Sequence, residues 1–375
     1  MTGLNSQLIN KCDGMNILYV SHIPARVTSG PSWSVPASVD AQSNVDNVLW
    51  VNTKEDTLPH WEKVNCFHKL SEYGSLSLKN MPHPFDKPDV VVFEGLYDSF
   101  KEISFSCALR KAKIPYIIVP RGSLTYNAMH NGSKIKKEIA HKLFYDNYIS
   151  KALAIQFLTN REYEDSKYRF DGKHFILPNG IHPSSIVKED FSSNGIRAVY
   201  IGRFDAYHKG LDLLLEACKA EKDYLVNNGF LLSLYGTETA DWHRLKENVS
   251  KWGSEFIQIN KSIFGKDKEN VLLSSDIFVM TSRFEGHPMG LIEALAYGLP
   301  CLASNGTNMS SEVSKYNAGW TCQSDVSSIR QALHSIIDEH NSFLERSKNA
   351  LKLSSLYNWD KLAVDFHNQV KSILS

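Results

Sequence analysis

The chain predicts two doubly wound α/β domains, each a parallel sheet covered on both faces by helices. Three observations carry this. Its 375 residues suit two domains, each large enough to bury its own core. Near-continuous apolar runs of strand length alternate with longer helix-like stretches, the pattern of strands buried on both faces. The alternation stops once, at the polar, turn-rich stretch HPSSIVKEDFSSNG, and then restarts.

The first series of strand-like runs is NILYVS (16–21), VLWVN (48–52), DVVVFEG (89–95), PYIIVP (115–120) and AIQFLT (154–159), closing with HFILPNGI near Ile181. The second is RAVYIGR, FLLSLYG, FIQIN, DIFVMTS and PCLAS, with helical stretches such as GLDLLLEACKA between them. The expected division is a polar N-terminal extension at 1–14, a first Rossmann-like domain at 15–182, a linker at 183–195 and a second Rossmann-like domain at 196–358. An amphipathic C-terminal helix at 359–375 is expected to pack back on the first domain. Met15, directly before the first strand, is a candidate start of the native chain.

Composition narrows the function classes. Lysine plus arginine and aspartate plus glutamate both number 41, so no broad basic field argues for nucleic acid. The six cysteines are scattered without a C-x-x-C pair, which argues against a zinc site or a disulfide framework and fits a reducing cytosol. No apolar run reaches the roughly 18 residues of a membrane span, and the N-terminus lacks the apolar core of a signal peptide. The expected location is therefore cytoplasmic, with room for a peripheral contact at the inner face of the membrane.

The chemistry concentrates in two loops of the second half. In SRFEGHPMGLIEALAYGLP a strand gives way to a helix from Met289 to Tyr297, with Pro288 at its start and Gly298 past its end, where helix-end stereochemistry favours them. That helix start lies at the carboxyl end of a parallel strand, where open α/β sheets bind ligands. Free amides around Met289, Gly290 and Leu291 suit a phosphate, and Gly290 would let a ligand approach the backbone. Glu285 in the loop and Glu293 a turn into the helix make acceptors for sugar or ribose hydroxyls. The plain alternative is that both acids only complement the helix dipole. YIGRFDAYHKGLDLLLEA puts Arg203 after a strand and Lys209 before a helix, two cations fit for a diphosphate, although loop cations are commonly just solvated.

These residues carry a resemblance. GRFDAYHKGLDLLLEA followed by SRFEGHPMGLIEALAYGLP, with its E-x7-E spacing, resembles the signature of retaining GT-B glycosyltransferases of family GT4. LPNGI before the linker, SLYGTE, FGKDKENVLLSSDIFVMTS and the terminal NWD helix extend the likeness. In the first half, SGPSWSVPASVDA resembles the family's glycine loop. VPRGSLTYNAM resembles members that build bacterial surface polysaccharides such as O-antigen, capsule or exopolysaccharide.

The resemblance implies a GT-B fold with the active site in a cleft between two facing domains. A UDP- or GDP-sugar would be the donor, and a glycan or polyprenyl-diphosphate-linked oligosaccharide the acceptor. Arg203 and Lys209 would hold the donor diphosphate with the Met289–Leu291 amides. Glu293 would bind the ribose, Glu285 the donor sugar at the reacting centre, and Gly30 would let the first-domain loop close on the diphosphate. No D-x-D triplet occurs, so neither a metal nor any other cofactor is expected; cations and a helix end can stabilise the leaving group.

One departure stands out. The histidine many relatives carry after the strand PYIIVP is replaced by Arg121, either a donor or acceptor contact or a salt-bridged structural residue. His287 reads as a wall residue, and Asn179 as the shaper of the turn into the linker. The helix at 134–150 sets Ile135, Ile139 and Leu143 against Lys134, Lys136, Lys137 and Lys142, read as a core stripe with a solvated face or as a shoulder for anionic lipid. The rival functions are a non-catalytic nucleotide-sugar binding module and a GT-B enzyme of other chemistry, such as a sugar-nucleotide epimerase or a phosphorylase. No G-x-G-x-x-G follows the first strand of either half, which disfavours a dinucleotide oxidoreductase.

Overall fold

The computed structural model describes residues 14–27, 29–97, 100–130, 138–170, 172–191, 195–252 and 255–375. The extension at 1–13, linker residues 192–194, and Lys134, Ile135, Lys136 and Lys137 lie outside them.

The chain divides into two units at the Asn179–Gly180 peptide, and Trp359–Ser375 belongs with the first. The strands of that unit are β1 (Asn16–Ser21), β2 (Asn47–Asn52), β3 (Phe67–Lys69), β4 (Val90–Glu94), β5 (Tyr116–Val119), β6 (Ala154–Phe157) and β7 (His174–Ile176). They form one parallel sheet in the order β3-β2-β1-β4-β5-β6-β7. Ile17 and Tyr19 of β1 enter the core on one face, and Leu18 and Val20 enter the core on the other. That two-sided burial is why the strand reads as a solid apolar run. The short edge strand β3, FHK, has no such run and was not legible as a strand.

The second unit, Gly180–Asn358, holds β8 (Ile196–Ile201), β9 (Phe230–Gly236), β10 (Ile257–Lys261), β11 (Ile277–Met280), β12 (Cys301–Ser304) and β13 (Gly319–Cys322). Its parallel sheet runs β10-β9-β8-β11-β12-β13. Ile277 and Val279 of β11 face one core and Phe278 and Met280 the other. Strand order reverses at β1/β4 in the first sheet and at β8/β11 in the second. At such switch points neighbouring loops leave in opposite directions and open a ligand crevice at the carboxyl ends of the strands.

The helix Trp359–Leu374 places Trp359, Leu362, Ala363, Phe366 and Val370 in a core of the first unit. These positions follow the spacing of one apolar stripe on a 3.6-residue helix. Its His367 Nδ1 lies 2.7 Å from Asp46 Oδ1, which also accepts the Met15 amide at 2.8 Å.

The linker is anchored to the second unit by charge. Lys188, 6% exposed, pairs with Asp276, 2% exposed, at 3.1 Å, and Arg197 of β8 pairs with the same carboxylate at 2.9 Å. The Lys188 amide donates to the Tyr297 carbonyl at 2.8 Å. Among the described residues no helix is long and apolar enough to cross a membrane.

Candidate active site

The loops after β8 and β11, the neighbouring strands at the switch point, bring the predicted cations and Glu285 together. Lys209 Nζ donates to Glu285 Oε1 at 2.6 Å, with 15% and 10% of the two side chains exposed. Ser282 Oγ donates to the same oxygen at 2.6 Å. Burial by itself pushes the Glu285 carboxyl up, but Lys209 first, then His208 and the Ser282 hydroxyl, outweigh it and hold the pKa below the ordinary carboxylate value. Glu285 is therefore an anion at neutral pH, with one oxygen held by two donors. The Asn308 amide fixes its backbone, reaching the Glu285 carbonyl at 2.5 Å and that of Gly286 at 3.2 Å.

Arg203, on the same loop as Lys209, takes other partners. Its side chain is 48% exposed, and Nη2 donates to His208 Nδ1 at 2.8 Å and lies 3.5 Å from Asp205 Oδ2. Tyr200 Oη holds the Arg203 carbonyl at 2.9 Å. The loop is closed by Gly210, left-handed at φ +62 as the cap of the helix Leu211–Ala220. A Cβ there would sit 2.0 Å from the Thr281 carbonyl oxygen. Glycine thus lets the cation loop press against the end of β11. Gly210→Ala is expected to cost about 1–2 kcal/mol in backbone strain alone, and more as Thr281 is forced away. Thermal unfolding should record at least the corresponding fall, about 2–4 °C per kcal/mol; an unchanged Tm would contradict this account of the loop.

The helix Met289–Ala296 starts one residue after Pro288, which is its N-cap with extended φ and ψ of −79 and 107 and no side-chain cap bond. Two expectations are corrected here. The Leu291 amide donates to the Pro288 carbonyl at 3.1 Å, so of the three amides expected to face an anion this one is already engaged. The absent Cβ of Gly290 points at the Ile201 carbonyl oxygen (3.3 Å), Phe278 and Met280; this glycine admits the helix against the sheet, not a ligand against the backbone. Glu293, on the same helix, accepts from Lys268 of the helix Gly265–Ser274. Its side chain is 23% exposed.

His287 is buried, its ring 5.0 Å from that of Tyr357, and burial pushes its pKa down to about 3. It is a neutral wall. Arg283, not singled out in the sequence, is engaged in a bidentate pair with Asp212 at 2.7 and 2.8 Å and lies over the Tyr207 ring.

In the first unit, Arg121 has φ +50 and is only 10% exposed. Its Nε and Nη2 each reach Glu94 Oε2 at 2.8 Å, and Nη1 donates to Ser34 Oγ and Asn179 Oδ1, both at 3.0 Å. Four of the five guanidinium N–H groups are thereby used. The structural reading of Arg121 accounts for this geometry, while direct contact with a substrate anion would have one N–H left. Asn179 does more than shape a turn, since it is one of the groups that hold this arginine. Gly30 caps the helix Pro31–Ser43 in ordinary right-handed geometry, φ −54 and ψ −48, with nothing within 4 Å of where a Cβ would stand. The fold does not demand glycine there, and the space beside it is open.

Sequence reasoning missed His208, Ser282, Lys268 and Asn308. Only His208 left a signal, an imidazole directly beside Lys209; the others reach the site from positions whose meaning appears only on folding.

The two parallel sheets and their strand orders define the fold class. Sucrose-phosphate synthase from Thermosynechococcus elongatus superposes with a TM-score of 0.72 at 15% identity, over 96% of this chain and 99% of that one. Anabaena HepE in complex with UDP-glucose gives 0.70 at 14% identity, over 96% and 100%. The fold is GT-B. Residues 183–353 match the family model Glycosyl transferases group 1. Protein CapJ of Staphylococcus aureus is 25% identical over 294 residues, 72% of this chain and 70% of CapJ. An Escherichia coli UDP-Gal:alpha-D-GlcNAc-diphosphoundecaprenol alpha-1,3-galactosyltransferase is 35% identical over 74 residues, 20% of this chain and 19% of that enzyme.

Proposed function

We propose that the protein is a retaining, metal-independent glycosyltransferase that moves a sugar from a UDP- or GDP-sugar to a glycan or lipid-linked oligosaccharide in bacterial surface polysaccharide synthesis. The observation that carries this reading is the buried Lys209–Glu285 pair beside the half-exposed Arg203, within the matched glycosyltransferase domain. Lys209 and Arg203, with the Met289 and Gly290 amides, take the donor diphosphate and stabilise the charge that grows on it as the glycosidic bond breaks. The anionic Glu285 faces the donor sugar. Glu293 takes the ribose hydroxyls, sharing its carboxylate with Lys268. The relatives' printed names support the substrate class: one acts on a diphosphoundecaprenol-linked sugar, and one solved neighbour binds UDP-glucose.

The test is transfer from radiolabelled UDP- and GDP-sugars to undecaprenyl-diphosphate-linked acceptors, with and without EDTA. The α-linked donor should give an α-linked product, read from the anomeric coupling constant, and EDTA should not slow it. A β-linked product would overturn retention, and EDTA inhibition would overturn metal independence. Donor binding without transfer or hydrolysis would favour the non-catalytic module, and an altered nucleotide-sugar would favour an epimerase.

The acceptor's lipid suggests a membrane contact. Ile139 and Leu143, read from sequence as part of a core stripe or of a lipid-facing shoulder, are 53% and 65% exposed, beside Phe144 at 43% and Phe100 at 64%. Rings Phe100 and Phe144 touch with centroids 5.5 Å apart. An apolar group of this kind next to the exposed Lys142 suits the headgroup region of an anionic bilayer. The double change Leu143→Ser, Phe144→Ser is expected to reduce co-sedimentation with phosphatidylglycerol vesicles severalfold without lowering Tm. Unchanged co-sedimentation would remove this part of the proposal.

A further inference from the structure

His208 sits at the centre of the cation loop, yet none of the roles above uses it. Its two nitrogens have partners of fixed character. Nε2 lies 2.7 Å from the Phe284 carbonyl oxygen, which can only accept, so Nε2 carries the hydrogen. Nδ1 lies 2.8 Å from Arg203 Nη2, and a guanidinium can only donate. Nδ1 is therefore the bare nitrogen, and the imidazole is neutral. The ring is stacked on Phe284 with centroids 4.2 Å apart and planes at 11°. The His208 amide donates to Asp205 Oδ1 at 3.0 Å, and the His208 carbonyl accepts the Arg283 amide at 2.9 Å. Ring and backbone together tie the loop after β8 to the loop after β11.

We propose that His208 is a positioning residue: as the neutral Nε2–H tautomer it aims the Arg203 guanidinium at the donor diphosphate, and protonation of Nδ1 releases Arg203. A hydrogen on Nδ1 would face a guanidinium N–H, and two cations would meet at hydrogen-bond distance. The nearby acceptor, Asp205 Oδ2, lies 3.8 Å from Nδ1 and 3.5 Å from Arg203 Nη2, so a protonated ring would compete with Arg203 for it. Donor binding then needs a deprotonated His208, although neither the diphosphate diester nor the arginine titrates in that range. The charged groups around the ring are Arg203, Asp205 and Lys209 on its own loop and Glu285 on the facing one. Burial first, then Lys209, hold the imidazole below its ordinary value of 6.5; Arg203 adds to them, while Glu285 and the Phe284 carbonyl oppose. The acid limb accordingly falls below pH 6.5, and donor affinity should drop up to tenfold per pH unit beneath it.

This inference rests on the proposed diphosphate site, and two measurements keep the failures distinguishable. Nitrogen-15 NMR of histidine-labelled protein, with the His208 signals assigned from their loss in His208→Asn, needs no donor. The expected result is an Nε2–H tautomer that protonates below pH 6.5 and titrates at higher pH in Arg203→Met, which removes both the neighbouring cation and the donor to Nδ1. An Nδ1–H tautomer, or a titration indifferent to Arg203, would overturn the coupling even if no sugar nucleotide binds. Calorimetric titration with UDP-glucose and GDP-mannose from pH 5.5 to 8 is the second measurement. His208→Asn offers an oxygen near the Nδ1 position and should lose the acid limb. His208→Gln keeps the bond to Phe284 but has no acceptor at that place, and should bind about tenfold more weakly at pH 8. Equal losses in both variants, or an acid limb that survives in His208→Asn, would leave His208 a merely structural residue. If neither nucleotide-sugar binds the wild type, the reading of function fails, while the NMR still decides the Arg203–His208 coupling.

Discussion

Lys209→Met is expected to lower turnover by about 10²–10³-fold, the largest effect on activity foreseen for any single change in the proposed site. Two physical losses combine. The ammonium no longer stabilises the diphosphate as it departs, and the buried Glu285 carboxylate, 10% exposed, is left beside that departing charge without its counter-ion. The double variant Lys209→Met, Glu285→Gln separates them, because the stranded charge is then gone. Recovery of most of the turnover in the double variant would mean that neutralising Glu285 is the chief duty of Lys209. A persistent deficit would assign it to the leaving group. Single-turnover rates with saturating donor make the comparison, and wild-type turnover in Lys209→Met would overturn the role altogether.

Asp276→Ala is expected to destabilise the second unit by about 3–5 kcal/mol, the cost typical of breaking a buried ion pair from one side. Arg197, 43% exposed, can turn to water. Lys188, 6% exposed, cannot, and would be left as a buried cation holding the linker. Urea unfolding followed by tryptophan fluorescence should show the midpoint falling with little change in slope. A loss below about 1 kcal/mol would mean that Lys188 escapes to solvent. The pH dependence has a definite sign. Burial pushes the Asp276 carboxyl up, but Arg197 and Lys188 outweigh it and hold the folded pKa below the ordinary 3.8. Its contribution is therefore present in full above the unfolded value near pH 4 and is lost as pH falls through the lower folded value.

The second-half motifs were legible because their chemistry is local. Arg203 and Lys209 follow one strand, Glu285 follows its spatial neighbour, and parallel strands deliver all such loops to one edge of a sheet. Gly210 was legible as a loop glycine, but its reason was not: the close approach to Thr281 comes from a residue 71 positions away. Gly290 shows the opposite failure. Its place at a helix start suggested a ligand, whereas the space it leaves is filled by β8 and β11. The apolar positions Ile139 and Leu143 match a helical period, and period alone cannot say whether a stripe meets a core or stands exposed. Arg121 was left open between two readings, because its partners Glu94, Ser34 and Asn179 come from three separate segments.

By itself the sequence determined the two parallel-sheet units and placed Arg203, Lys209 and Glu285 on loops that follow neighbouring strands of the second sheet. Strands buried on both faces must be apolar throughout, and phosphate and hydroxyl recognition restricts residue types within short loops. The tertiary structure alone decided how those side chains are paired: Lys209 on Glu285, Lys268 on Glu293, His208 on Arg203, Lys188 on Asp276. Those pairings depend on distances across loops that only the packing of helices on the sheet brings within reach, and electrostatic energy at 2.6–3.1 Å is set by those distances, not by order along the chain.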